Sequence, residues 1–186
     1  CYLTGSLTVS NGAAFGVRLG SDSSITQPDF DAIINSSTIF NAAGKNVAIA
    51  VTSTAGTVDD TSTIGDLSGS RGLVKAGAGI LHMLGSYTYT GPTIVSGGKL
   101  QLIAGATTSP SGGYVINSLG VIQVGDGSTP NSGDLGVNTV TNYGGKLTFN
   151  RPDSYVVTNR IIATSGGLYN IVAGSSVTFS NSGSAW

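Results

Sequence analysis

The stretch Gly72-Leu-Val-Lys-Ala-Gly-Ala-Gly-Ile-Leu-His-Met-Leu-Gly-Ser-Tyr-Thr-Tyr-Thr-Gly-Pro-Thr-Ile-Val-Ser-Gly-Gly-Lys-Leu-Gln-Leu102 decides the fold. It is a run of very short apolar strands divided by glycines, with almost no charge. No strand in it is long enough to be stable alone. Strands of this kind become stable when each is stacked on a copy of itself, turn upon turn.

The rest of the chain repeats the theme. Gly97-Gly98-Lys99-Leu100 returns as Gly144-Gly145-Lys146-Leu147. Gly79, Gly98, Gly120, Gly145 and Gly167 each precede a short strand: Ile80–Met83, Lys99–Leu102, Val121–Val124, Lys146–Phe149 and Leu168–Ile171. A period near 20–25 residues made of short strands and turns is that of a parallel β-solenoid. Side chains alternate sides along a strand, so Leu100 and Leu102 point one way and Lys99 and Gln101 the other. Further strands are expected at Ser6–Val9, Val47–Val51, Thr93–Val95, Tyr114–Asn117, Tyr155–Thr158 and Val177–Ser180. Gly125–Asp134 carries every turn signal and is expected to leave the coil. Residues 11–46 are the least regular, and Pro28–Ile34 reads as one or two helical turns capped by Thr26.

Composition narrows the function classes. The chain has 186 residues with 39% hydrophobic and 9% charged, and all nine acidic residues are Asp. A charged fraction well below the usual ~25%, with few strong helix formers, favours an all-β coil. The net charge of −1 gives no electrostatic reason to expect nucleic acid or an anionic membrane as partner. No apolar run approaches the length that spans a bilayer. The single cysteine, Cys1, excludes an internal disulfide. Lacking Met at position one, the chain reads as a processed product or a cut piece, in which Cys1 is either a lipidated first residue or a boundary.

Residues 72–102 closely resemble the autotransporter-associated β-strand repeat, found in the passenger regions of bacterial type V secreted proteins. Leu73, Val74, Lys75, Gly77, Gly79, Leu81, Leu84, Gly85, Tyr89, Thr90, Gly91, Thr93, Val95, Gly98 and Leu100 sit where that repeat places them, whereas His82, Met83 and Pro92 depart from it. The likeness is fair over 114–180 and poor before residue 60. It implies a right-handed β-helix stalk exported through an outer-membrane barrel, with no catalytic residue.

The candidates for chemistry weigh lightly. His82, the lone histidine, has no Cys, Glu or nearby Asp in sequence to complete a metal site. Asp59, Asp60, Asp66, Asp126, Asp134 and Asp153 are scattered and read as turn caps more readily than as the paired carboxylates of a polysaccharide-cleaving site. Gly125-Asp126-Gly127 is a single copy and not the tandem repeat of a calcium solenoid, and a single ion held by Asp126 with Asp134 in the long loop is a minor alternative. Tyr87 and Tyr89 fall on one face and read as packing before sugar stacking. No catalytic, cofactor or metal residue is therefore expected.

The expectation is a single all-β domain over 1–186, a right-handed parallel β-helix of about seven to nine turns, with a less regular part at 1–70 and repeats at 72–180. Its expected role is a non-catalytic stalk or adhesin scaffold, extracellular on a bacterial surface. A filament subunit, a glycan-binding module and, more remotely, a polysaccharide lyase or hydrolase stand as alternatives. Expected partners are the chain itself or surface glycans, and a membrane only through segments outside this sequence.

Overall fold

The computed structural model describes residues 13–36, 45–66, 69–103, 107–108, 112–164, 166–172 and 174–180. The expected strand Ser6–Val9 lies outside them. The chain winds as a parallel β-solenoid. One face is a seven-stranded sheet built, in order, from β1 (Ala14–Arg18), β2 (Asn46–Ala50), β5 (Leu73–Ala76), β8 (Thr93–Val95), β11 (Tyr114–Asn117), β13 (Val140–Tyr143) and β16 (Ile161–Ala163). The second face stacks β3 (Thr57–Asp60), β6 (Ile80–Met83), β9 (Gly98–Leu102), β12 (Gly120–Val124), β14 (Lys146–Phe149) and β17 (Leu168–Ile171). The third face is split into β4 (Thr63–Ile64), β7 (Ser86–Tyr87) and β10 (Thr107–Thr108), and then β15 (Ser154–Val157) and β18 (Ser176–Phe179).

The register explains why glycine recurs at the spacing it does. On the second face Thr57, Ile80, Lys99, Val121, Lys146 and Leu168 form one column, at offsets of 23, 19, 22, 25 and 22 residues. From β6 to β14 the glycine at the start of each strand, Gly79, Gly98, Gly120 or Gly145, sits against the main chain of the turn beneath. A Cβ on Gly120 would lie 2.3 Å from Val95 O, and one on Gly145 would lie 2.4 Å from Asn117 O. Successive turns approach more closely here than any side chain permits.

Inward positions supply the core. Leu81, Leu100, Ile122 and Leu147 form one column, and Met83, Leu102, Val124 and Phe149 the next, each essentially without exposed surface. Each such side chain contributes on the order of 1.5–3 kcal/mol of burial. Tyr87, Tyr89 and Tyr114 fill the larger gaps and are fully buried. Tyr87 and Tyr89 are packing residues, and Tyr89 Oη lies 2.5 Å from Thr93 Oγ1.

About six turns are present, fewer than the seven to nine expected. Two features take up the missing length. Between β1 and β2 the described chain forms α1 (Gln27–Ile34) and no strand of the second or third face. Connections also lengthen, so that Val47 to Leu73 and Tyr114 to Val140 each take 26 residues.

The helix α1 begins with a reciprocal cap. Thr26 Oγ1 accepts from Asp29 N at 3.4 Å, and Asp29 Oδ2 accepts from Thr26 N at 3.0 Å. Phe30 and Ile34 are buried. The helix is tied down near both ends. Gln27 Nε2 donates to Asp60 Oδ1 at 3.1 Å and Ser62 Oγ at 2.6 Å, and Arg71 Nη1 donates to Ile34 O at 2.6 Å. These anchors flank β4, the outermost strand of its sheet, so α1 lies where a further third-face strand would stack. Thr26→Ala is expected to cost about 1 kcal/mol of local stability. Hydrogen exchange should quicken at the amides of residues 29–34 and stay unchanged in β9 and β12.

Candidate functional site

The ionisable side chains gather in three main clusters, two at corners between turns and one on a face, and most of the pairs join residues about one turn apart in sequence. The first cluster lies inside. Asp60, fully buried, accepts from Tyr87 Oη at 2.9 Å, Ser62 N at 3.1 Å and Gln27 Nε2 at 3.1 Å. Burial, then the Asp60 charge, pushes the Tyr87 hydroxyl far above its usual range, so it remains a donor. Asp59 and Asp60 stand in β3 and not in a turn as expected. An inward Asp is tolerated because donors from other parts of the coil satisfy it.

The second cluster lies on the outer surface of the second face, between β3 and β6. His82 Nδ1 lies 2.8 Å from Asp59 Oδ1. Sequence reasoning left His82 without a carboxylate because this one lies a full turn earlier, in the column Asp59, His82, Gln101, Gln123, Thr148 and Asn170. Gln101 and Gln123 both donate to Gly125 O, at 3.2 and 2.9 Å, and Lys99 Nζ donates to Gln123 Oε1 at 2.9 Å. Along this column Asp59 pairs with His82, whereas Gln101 and Gln123 converge on the Gly125 carbonyl.

The third cluster holds the loop between β12 and β13. No strand of the third face forms in this turn, and Leu135 enters the core in its place. Arg151 Nη1 donates to Gly133 O at 2.7 Å, while its Nε and Nη2 clamp Asp153 at 2.9 and 2.7 Å. The guanidinium carbon stands 4.5 Å from the centre of the Tyr155 ring. Tyr155 Oη donates to Asp134 Oδ1 at 2.7 Å and accepts from Leu135 N at 3.0 Å. Asp126 caps its own loop, accepting from Ser128 N and Thr129 N at 2.8 and 2.7 Å; the Thr129 amide contributes most to holding its carboxyl well below the usual range. Asp66 likewise accepts from Arg71 N and Thr90 N.

The Arg151 hydrogen bonds hold Asp153 at about 2, down from 3.8. A carboxyl lowered on folding contributes stability above 3.8 that is lost as pH falls through 2. Arg151→Met should return Asp153 most of the way to 3.8, less the part held by Asn131 N, and NMR titration of the side-chain carboxyl carbon would show it.

The grooves hold little chemistry. One of about 480 Å³ is lined by Gly77, Ala78, Ser96, Gly97, Gly98 and Leu119, none of them titratable. Another of about 320 Å³, beside α1, contains one carboxylate, Asp29, already engaged by Thr26. No cluster of three or more His, Cys or Asp suited to a metal ion occurs among the described residues. Among the same residues, no helix is long and apolar enough to cross a membrane.

No curated protein and no solved structure matches the chain. One family does, over less than a fifth of the 186 residues: residues 73–102, which run from β5 through β9, match the passenger-associated-transport-repeat, in agreement with the autotransporter repeat that this stretch resembles.

Proposed function

We propose that this chain is a non-catalytic structural segment of a secreted passenger displayed on a bacterial surface, a right-handed coil that acts as a stalk. The observation that carries this reading is the coincidence of the transport repeat at 73–102 with a solenoid whose aspartates bind their own corners. A polysaccharide-cleaving groove needs two carboxylates flanking the bond, and the two grooves described above hold one between them, Asp29. Here Asp60, Asp66, Asp126, Asp134 and Asp153 each accept hydrogen bonds from the coil or its loops. A rigid rod of six turns at about 4.8 Å per turn spans about 29 Å. Its near-neutral, hydrogen-bonded outer face suits spacing other parts away from the cell.

The test places the chain between an export signal and an outer-membrane barrel, with an epitope ahead of Cys1. Labelling of intact cells at full intensity is the expected result. Labelling only after permeabilisation, or turnover of a polysaccharide by the purified chain, would overturn the reading.

A further inference from the structure

The outward side of the first face carries no charge along its middle. In β2, β5, β8, β11 and β13 buried positions alternate with outward ones, and none of the outward residues is Asp, Lys, Arg or His. Ala48, Val74, Ile94, Val115 and Thr141 stack there as one partly exposed column. The outward side of the second face differs, since it presents Asp59, His82, Lys99 and Lys146.

At the corner between these two faces stand a knob and a hollow. Leu119 is the knob, 78% exposed. Beside it lies the groove of about 480 Å³, floored by Gly77, Ala78, Gly97 and Gly98. Close packing of the turns keeps two of these glycines bare. A Cβ on Gly77 would lie 2.3 Å from Val51 O, and one on Gly98 would lie 2.4 Å from Gly77 O. Packing does not account for Gly97, where a Cβ would meet nothing nearer than 3.6 Å. Nor does it account for Leu119, which the coil leaves outside. One turn further along, Tyr143 is also 52% exposed, in the outward column that contains Ala76, Ser96 and Asn117.

We propose that this surface binds the same surface of a second copy of the chain, with the two coils side by side and antiparallel. The two-fold axis runs along the strands, between β8 and β11. It lays Leu119 of each copy in the hollow of the other, over Gly97. It also sets Tyr143 against Ala76 and Asn117 against Ser96, large beside small and polar beside polar. A surface that carries both knob and hollow is what an isologous contact needs. Parallel coils would instead press knob on knob and leave the hollows empty. The six strands from β2 to β16, at about 4.8 Å, and three outward positions at about 6.7 Å give a contact of about 29 by 20 Å, roughly 1,200 Å² over both copies. That clears the ~1,000 Å² of a specific interface, at its weak end. Lys99 and Arg160 border the contact and stay in its wet rim, so no charge is buried. The proposal stands apart from surface display, since it is read as mass in solution.

Sedimentation equilibrium of the whole chain, from low micromolar to several hundred micromolar, tests it. The mass should rise from 18.5 kDa to twice that and stop. Leu119→Asp charges the knob, and Gly97→Leu fills the hollow. Each should weaken the dimer at least about tenfold. Val156→Asp, at a 53% exposed position of β15 on the third face, should leave it intact. If Gly97→Leu disturbs the coil, seen as altered far-ultraviolet circular dichroism, Leu119→Asp decides. A monomer at every concentration, an open-ended polymer, a dimer indifferent to Leu119→Asp, or an equal loss with Val156→Asp would overturn the proposal.

Discussion

Gly98→Ala is expected to destabilise the coil by roughly 3–5 kcal/mol, a large share of the 5–15 kcal/mol that holds a typical domain. Two effects add. Gly98 has φ +63°, a conformation costly for any residue with a Cβ. That Cβ would also stand 2.4 Å from Gly77 O and 2.5 Å from Gly79 O, both main-chain atoms of the preceding turn. Main chain cannot swing aside as a side chain can, so the turns must separate. Gly136 is the control: its φ is +67° and nothing lies within 4 Å of the added atom. Gly136→Ala should cost only the conformational part, about 1 kcal/mol. Urea midpoints for both variants, with wild-type slope, check the difference.

Lys75→Met should cost about 2–4 kcal/mol at neutral pH, by leaving carbonyls without a donor. Lys75 points inward and is fully buried. Its ammonium donates to Ala76 O, Gly77 O and Gly97 O at 2.8, 2.9 and 3.0 Å. Two of these belong to its own corner and one to the corner of the next turn, so one cation pins both. Methionine fills the volume and supplies no donor. Burial pulls Lys75 down to about 8 from 10.5. A base lowered on folding holds fewer protons in the native state between those values. Stability therefore rises with pH from about 8 to 10.5, by at most about 1.4 kcal/mol per pH unit. Lys75→Met should abolish that rise, which chemical denaturation across the window would detect.

Legibility from sequence followed strand length and glycine. Every strand of the second face from Ile80 onward is anchored by a glycine, and the glycine spacing reproduces the register of Lys99 on Val121, Lys146 and Leu168. Thr26 with Asp29 announced α1 because a capping box is local chemistry. Of the third face only the longer strands show in the sequence, β15 and β18, expected at Tyr155–Thr158 and Val177–Ser180. Strands of two residues, such as Ser86–Tyr87 and Thr63–Ile64, are too short for alternation to show. The side-chain corners were hidden for a different reason. Asp59 finds His82 23 residues away, and Asp60 finds Tyr87 27 residues away. Only the winding brings these pairs together. Asp in a strand also contradicts local propensity, which placed β3 in a turn. The turn count was overestimated because length alone cannot reveal that the segment between β1 and β2 spends its residues on α1.

Proton–proton contacts across the coil test its winding most directly. In an isotope-labelled sample, backbone amides of Ile122 should show cross-peaks to residues around Leu100 on one side and Leu147 on the other, in parallel register. Cross-peaks instead between sequence-adjacent strands such as β11 and β12 in antiparallel register would contradict a solenoid, and the surface-stalk reading with it.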